Sequence, residues 1–198
     1  MKLEDITDRN KLKSPDEFLD DPIVKEIIQK SYIGEERGWD MDEWWAFSDH
    51  VLLNKIVSSL YNLVKEKWDD FDYVAALGGS GSPIGCNLAT QMEKDFIFII
   101  DLWGATSVFQ PIKPKGIDLQ NKNVLLVDSV LKTGLTTYNA IKRIRKKGGI
   151  PSLLIMTVLN NWIDESLLED IKLVDLYYLY YWDDKIMELA KSKRIIIE

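Results

Sequence analysis

Apolar positions recur along this chain with two different periods, and the change falls near residue 70. Before it the spacing is helical. Ser14, Pro15, Asp16 and Glu17 make a helix start, with Ser as cap, Pro at the first helical position and acids in the first turn. That helix is expected to reach about Leu19. Ile23, Ile27 and Ile28 share one face of a second helix, Pro22 to Ser31. Asp42 is placed to cap a segment from Glu43. Leu52, Ile56, Leu60 and Leu63 predict a long helix from about His50 to Lys67.

Beyond residue 70 short, continuous apolar runs take over: Tyr73 to Leu77, Phe96 to Ile100, Val124 to Val127, Leu153 to Val158 and Val174 to Tyr181. Such runs are expected of parallel strands covered on both faces. Between and after them lie helical spacings at Ile84 to Glu93, Thr136 to Lys147 and Lys185 to Lys191, and Arg194 to Ile197 is read as a last strand or a docked tail. The alternation predicts an α/β class: a mostly parallel sheet of about five strands with helices on both faces. No internal repeat or linker interrupts it. Residues 1–198 are read as one domain, with 1–70 a small helical N-terminal hood and 71–198 the α/β core and C-terminal segment.

Two strand-to-helix turns carry the candidate chemistry. In the first, Asp128 and Ser129 end an apolar strand, and Lys132, Thr133, Gly134, Leu135, Thr136 and Thr137 lead into a helix. Gly134 lets the backbone bend and approach a ligand closely. The threonines offer hydroxyl donors, and the helix turns its free N–H groups and positive dipole end toward the turn. An acid at a parallel-strand exit lies in the crevice where open α/β sheets bind ligands. Thr133 could instead be a plain cap, as could Asp128. The nucleoside-triphosphatase loop, G-x-x-x-x-G-K followed by Ser or Thr, is absent. The second turn, Gly78 to Pro83, contains Gly79, Ser80, Gly81 and Ser82 and is read as a flexible anion site ahead of a helix at Ile84.

The first turn resembles the phosphoribosyl-diphosphate (PRPP) motif of type I phosphoribosyltransferases: four apolar residues, two acids, two mostly apolar residues, then x-Thr-Gly-x-Thr/Ser. Val124 to Thr136 matches at every position but one, Ser129 standing where the second acid belongs. In the same family the second turn is the pyrophosphate loop, and Ala76 to Ala89 looks most like the orotate phosphoribosyltransferase branch. The resemblance covers roughly Asp72 to Thr157. It implies transfer of phosphoribosyl from PRPP to a nitrogenous base in nucleotide synthesis or salvage, with Mg²⁺ bound mainly through PRPP and no metal held by the protein itself. Asp128 would be the catalytic carboxylate on the ribose hydroxyls. Ser129 and Lys132 to Thr137 would hold the ribose and 5′-phosphate, and Gly79 to Ser82 would face the pyrophosphate.

One departure lies after Ile100, where the orotate branch is basic and this chain reads Asp101, Leu102, Trp103; Lys113 and Lys115 are the candidate substitutes. With Ser129, this keeps a second reading open, a non-catalytic PRPP- or nucleotide-binding regulatory protein derived from the fold. The intact Asp128 and Thr-Gly-x-Thr turn tilt the sequence reading toward the transferase.

Composition narrows the rest. Of 198 residues, 46% are hydrophobic and 29% charged, which suits a globular chain. A net charge of −7 argues against a broad nucleic-acid footprint. Cys86 is the only cysteine, so neither an intrachain disulfide nor a cysteine metal cluster can form. No signal-peptide or membrane-span pattern is read, and a cytoplasmic protein without membrane partners, acting as a homodimer on PRPP or a nucleoside monophosphate, is expected. His50, the single histidine, reads as a surface or capping residue rather than a base. Trp44, Trp45 and Phe47 read as core or dimer contacts; Trp162, Tyr181 and Trp182 could stack on a base or pack in the core or an interface.

Overall fold

Among the described residues the apolar runs pair into one six-stranded sheet, five strands of which are parallel. The structure, a computed structural model, describes residues 15–31, 47–102, 106–111, 117–159, 166–167, 175–182 and 184–193. In chain order it holds α1 (Pro15–Asp20), α2 (Pro22–Ser31), α3 (His50–Val64) with a 3-10 continuation (Lys65–Asp70), β1 (Tyr73–Leu77), α4 (Gly78–Gln91), β2 (Asp95–Leu102) and β3 (Thr106–Pro111). Then follow β4 (Asn123–Leu131), α5 (Leu135–Lys146), β5 (Ile150–Leu159), β6 (Leu176–Trp182) and α6 (Asp184–Ser192). The sheet order is β3-β2-β1-β4-β5-β6, with β3 antiparallel to β2.

Strand side chains alternate between two separate cores, as the period of two requires. Val74, Leu125, Val127, Leu154 and Met156 face one core, which α3, α4 and the small helices α1, α2 and α6 cover. Ala75, Leu126, Leu153 and Ile155 face the other, closed by Ala140, Ile141 and Ile144 of α5. The two covering helices follow from chain direction. β1 crosses through α4 to β2 on one side of the sheet order, and β4 crosses through α5 to β5 on the other. Right-handed crossovers running in opposite directions put their helices on opposite faces.

α4 lies unusually close to the strands. A Cβ on Gly85 would stand 2.6 Å from Ala76 Cβ, and one on Gly81 3.1 Å from the Val127 carbonyl oxygen. Gly81 and Gly85 are one helical turn apart, so together they form the flat strip on which α4 rests. Ile84, Leu88 and Met92 supply its buried apolar face.

Several expected boundaries move. The turn expected at Gly78 to Pro83 is the first part of α4, which begins directly after β1 and ends at Gln91. β4 does not stop at Asp128 and Ser129 but pairs with β5 through Val130↔Thr157 and Leu131↔Val158. β2 includes Asp101 and Leu102 and turns back into β3, a strand the sequence reading lacked. The long helix at His50 is α-helical only to Val64 and then tightens. α2 spans Pro22–Ser31 as expected, with Val24 buried beside Ile27 and Ile28. Phe47 is in the core. His50 is exposed in the first turn of α3, where the cap is Asp49. The segment from Glu43, Trp44, Trp45, Lys113, Lys115, Trp162 and the tail from Arg194 lie outside the described residues.

Asp49 also ties α2 to α3. Its side chain accepts from the amides of Val51 and Leu52 and from the Lys30 ammonium, and Lys55 meets Glu26 at 2.8 Å alongside. The Lys30 hydrogen bond, with the Leu52 amide second, lowers the Asp49 carboxyl from 3.8 to about 2. The native state therefore takes up this proton less readily than the unfolded chain. Its contribution to stability is complete above 3.8 and is lost as pH falls through about 2. The melting temperature is expected to fall across that acid window, and Asp49→Asn, which keeps a capping oxygen but no charge, should make the fall shallower. Identical slopes for the two proteins in a pH series of thermal melts would show that the Lys30–Asp49 pair does not form in solution.

Candidate functional site

The strand order dictates where a ligand can sit. β1 and β4 are neighbours, yet their crossovers leave in opposite directions. Such a reversal opens a crevice beyond the C-terminal ends of the two strands. α4 and α5 both begin there, one from each face. Neither carries a side-chain cap: the residue before α4 is Leu77 and the one before α5 is Gly134. The contrast with α3, whose first amides Asp49 satisfies, is informative. The N-cap residues of the two helices at the crevice thus offer their first-turn amides no side-chain acceptor.

The crevice is a cleft of about 210 Å³. β1 and the start of α4 line it with Leu77, Gly78 and Ser80. β4 contributes Asp128, Ser129 and Val130, and the following turn contributes Lys132, Thr133, Gly134, Thr136 and Thr137. Asp128 is 9% exposed and sits in mid-strand opposite Ile155. Its Oδ1 accepts the Ser129 amide at 2.8 Å. The Ser129 hydroxyl donates to Ser80 Oγ at 2.7 Å, joining the β4 side of the cleft to the first turn of α4. Gly134 has φ +84 and ψ −8, a left-handed conformation that turns the chain from β4 into α5. The Leu135 amide lies 3.4 Å from Thr133 Oγ1.

Most of the expected site residues thus share one wall or another of this cleft, and the exceptions have physical reasons. Leu135 points to solvent, 54% exposed. Gly79 is exposed and does not line the cleft. Gly81 is buried against the strands, its missing Cβ only 3.2 Å from Asp128 Cα. The Ser82 hydroxyl bonds back to the Gly78 carbonyl, inside its own helix. Of the stretch Gly79 to Ser82, Ser80 alone lines the cleft. Leu77, Gly78 and Val130 are cleft residues that sequence reasoning missed. Gly78 had a readable signal, as the first glycine after an apolar run, and it takes φ +56. Val130 had none, since its place follows from the unexpected length of β4.

The described lining of the cleft is not a cluster of metal-binding side chains. Asp128 is the single carboxylate among its described lining residues, and no group of three or more His, Cys, Asp or Glu among the described residues could hold a metal ion. Hydroxyls and one engaged carboxylate are a poor donor set for Mg²⁺. No helix among the described residues is long and apolar enough to cross a membrane.

Comparison with known proteins places the fold. No family model matches the chain. Among solved structures it is similar to adenine phosphoribosyltransferase from Thermoanaerobacter pseudethanolicus, with a TM-score of 0.64 and 22% identity, over 80% of this chain and 99% of that one. Orotate phosphoribosyltransferase from Aeropyrum pernix gives 0.65 at 17% identity, over 85% and 98%. Mycobacterium tuberculosis orotate phosphoribosyltransferase in complex with PRPP gives 0.58 at 12% identity, over 79% and 86%. The chain has the type I phosphoribosyltransferase fold in a divergent form. Curated relatives carry a different description. The transcriptional regulator GfcR of Methanococcoides burtonii is 28% identical over 113 residues, 54% of this chain and 56% of that protein. GfcR 1 of Methanosarcina barkeri is 27% identical over 115 residues, 55% of each. The match thus spans about half the length of these regulators.

The turn geometry can be checked through Gly134. A side chain at φ +84 is strained, so Gly134→Ala should lower stability by about 1–2 kcal/mol in denaturant titrations. An unchanged midpoint and slope would mean that the turn does not hold this conformation.

Proposed function

On this type I phosphoribosyltransferase fold, we propose that the cleft binds a 5-phosphoribosyl ligand, PRPP or a nucleoside monophosphate, and that the chain uses it as a regulatory ligand rather than as a substrate. One observation carries the binding. The buried Asp128 carboxylate and the uncapped start of α5 meet in a single cleft at the reversal of strand order. A carboxylate accepts from vicinal ribose hydroxyls. A glycine turn leading into a helix N-terminus receives a phosphate monoester through backbone amides, with the Thr133 and Thr136 hydroxyls and Lys132 beside it. The spacing of acid, turn and helix start matches a sugar flanked by one phosphate.

The regulatory role is supported by what the second half of the cleft lacks. Transfer from PRPP must stabilise a positive ribose ring and a departing pyrophosphate together. Ser129, in place of a second acid, spends its hydroxyl on Ser80, and the Ser82 hydroxyl is turned into α4. The curated relatives of similar sequence are described as transcriptional regulators. A second reading, transfer of phosphoribosyl to a nitrogenous base with Mg²⁺ carried on PRPP, draws support from the fold of adenine and orotate phosphoribosyltransferases. In that reading, Asp128 holds the ribose and a basic side chain such as Lys113 or Lys115 neutralises the leaving group.

Asp128→Asn keeps the size and the capping capacity and loses the charge. It is expected to leave the melting temperature unchanged and to weaken ribosyl-phosphate binding by about 1–3 kcal/mol, the range for a hydrogen bond to a charged group. Equal affinity would remove the carboxylate from the site. With Mg²⁺, PRPP and each of orotate, uracil, adenine, hypoxanthine, guanine and xanthine, no pyrophosphate release is expected. Release with any one base, lost in Asp128→Ala, would establish the transferase reading.

A further inference from the structure

Resting on the cleft as a ribosyl-phosphate site, we infer that it takes its ligand as a phosphate monoester without a divalent cation, a nucleoside 5′-monophosphate rather than Mg²⁺–PRPP, and that Ser129 sets this selectivity. Mg²⁺ on a polyphosphate is ordinarily anchored by one or two protein carboxylates besides the phosphates. Among its described residues this cleft offers one, Asp128, and its Oδ1 already receives the Ser129 amide at 2.8 Å. The neighbouring position holds a neutral hydroxyl bonded to Ser80 at 2.7 Å.

The seat for a second phosphate group is also closed. Residues Gly78 to Ser82 are wound into α4 rather than standing open as a loop. The Ser82 hydroxyl is bonded within the helix. Gly81 fills the space beside Asp128, with its missing Cβ 3.1 Å from the Val127 carbonyl and 3.3 Å from Asp128 Oδ1. The Ser80–Ser129 bond holds that turn of α4 in place.

Charge points the same way. A phosphate monoester carries about −1.5 to −2 near neutral pH. Lys132 is the only cation among the described lining residues, and two helix N-termini add about +0.5 each. Together they come to about +2, which matches one phosphate and leaves Asp128 for the sugar hydroxyls. Among the described residues a diphosphate in addition would find no further counter-charge, and a cation to supply it no second carboxylate.

Calorimetry on the full chain tests this with uridine and adenosine 5′-monophosphates, ribose 5-phosphate and PRPP, each in Mg²⁺ and in EDTA. The monoesters should bind with affinities that agree within about threefold between the two conditions, and PRPP should bind no more tightly than they do. Ser129→Asp places a second carboxylate beside the first. It should weaken monoester binding in EDTA by about tenfold or more and recover most of that loss with Mg²⁺, a metal dependence that a purely structural role of Ser129 would not produce. PRPP binding that requires Mg²⁺ and exceeds the monoesters by about tenfold would overturn the inference and leave the ribosyl-phosphate site standing. Failure of the wild-type chain to bind any of the four ligands would remove both. The wild-type measurements decide the matter even where Ser129→Asp lowers the melting temperature.

Discussion

The molecule depends on how closely one helix can lie on its sheet. α4 rests on β1 and β4 through Gly81 and Gly85, and at Gly85 even a methyl group would overlap Ala76. Close packing of this kind gains dispersion contacts only when no side chain intervenes. From that proximity the rest follows. The first turn of α4 is brought against Val127 and Asp128 of β4, and Ser80 comes within reach of Ser129. Had α4 carried a larger residue at either glycine, the helix would stand off the strands and the two walls of the cleft would separate.

Polar interactions are divided unequally between the helical hood and the cleft. In the hood they are closed: Asp49 caps α3 and takes Lys30, Glu26 takes Lys55, and Asp20 takes Lys193. These pairs are exposed or half-buried at the surface, so each is worth little on its own, and they tie α1, α2, α3 and α6 to one another on one face of the sheet. In the cleft the polar groups bond one another, Ser129 to Ser80 and to Asp128, around a crevice that they line, and the N-cap residues of α4 and α5 make no side-chain cap. Burial supplies the stability that this arrangement forgoes. The strands beneath it are almost fully covered on both faces.

The strands were legible because burial on both faces writes itself as an uninterrupted apolar run, and β1 falls on the residues such a run marks. α2 was legible to the residue because its Pro start and its apolar face agree. The turn after β4 stood out as a combination of acid, glycine and threonines, and the structure gathers Asp128, Ser129, Lys132, Thr133, Gly134, Thr136 and Thr137 around one cleft. The failures share a cause, tertiary context overriding local preference. A stretch reading Gly-Gly-Ser-Gly-Ser-Pro has weak helix propensity, yet it is helical because those small residues are what let α4 touch the sheet. Asp128 and Ser129 looked like a strand end because they are polar. Pairing with β5 carries the strand through them. β3 has no long apolar run to announce it, and it forms as the return of a hairpin on the sheet edge.

The continuation of β4 beyond Asp128 gives the cleft two mechanical characters. Asp128, Val130 and Leu131 pair with β5 beyond the last β1 pair at Val127, so the sheet holds this stretch from one side, and the Ser129 amide is held by Asp128 Oδ1. Lys132 to Gly134 form a bend outside the ladder and open locally. The strand wall of the cleft is therefore tied to the sheet, and the wall formed by the bend is adjustable. Mutational drift in the core then changes how much folded protein a cell contains and leaves the strand wall of the cleft in each folded molecule intact. Drift in the bend retunes affinity one molecule at a time.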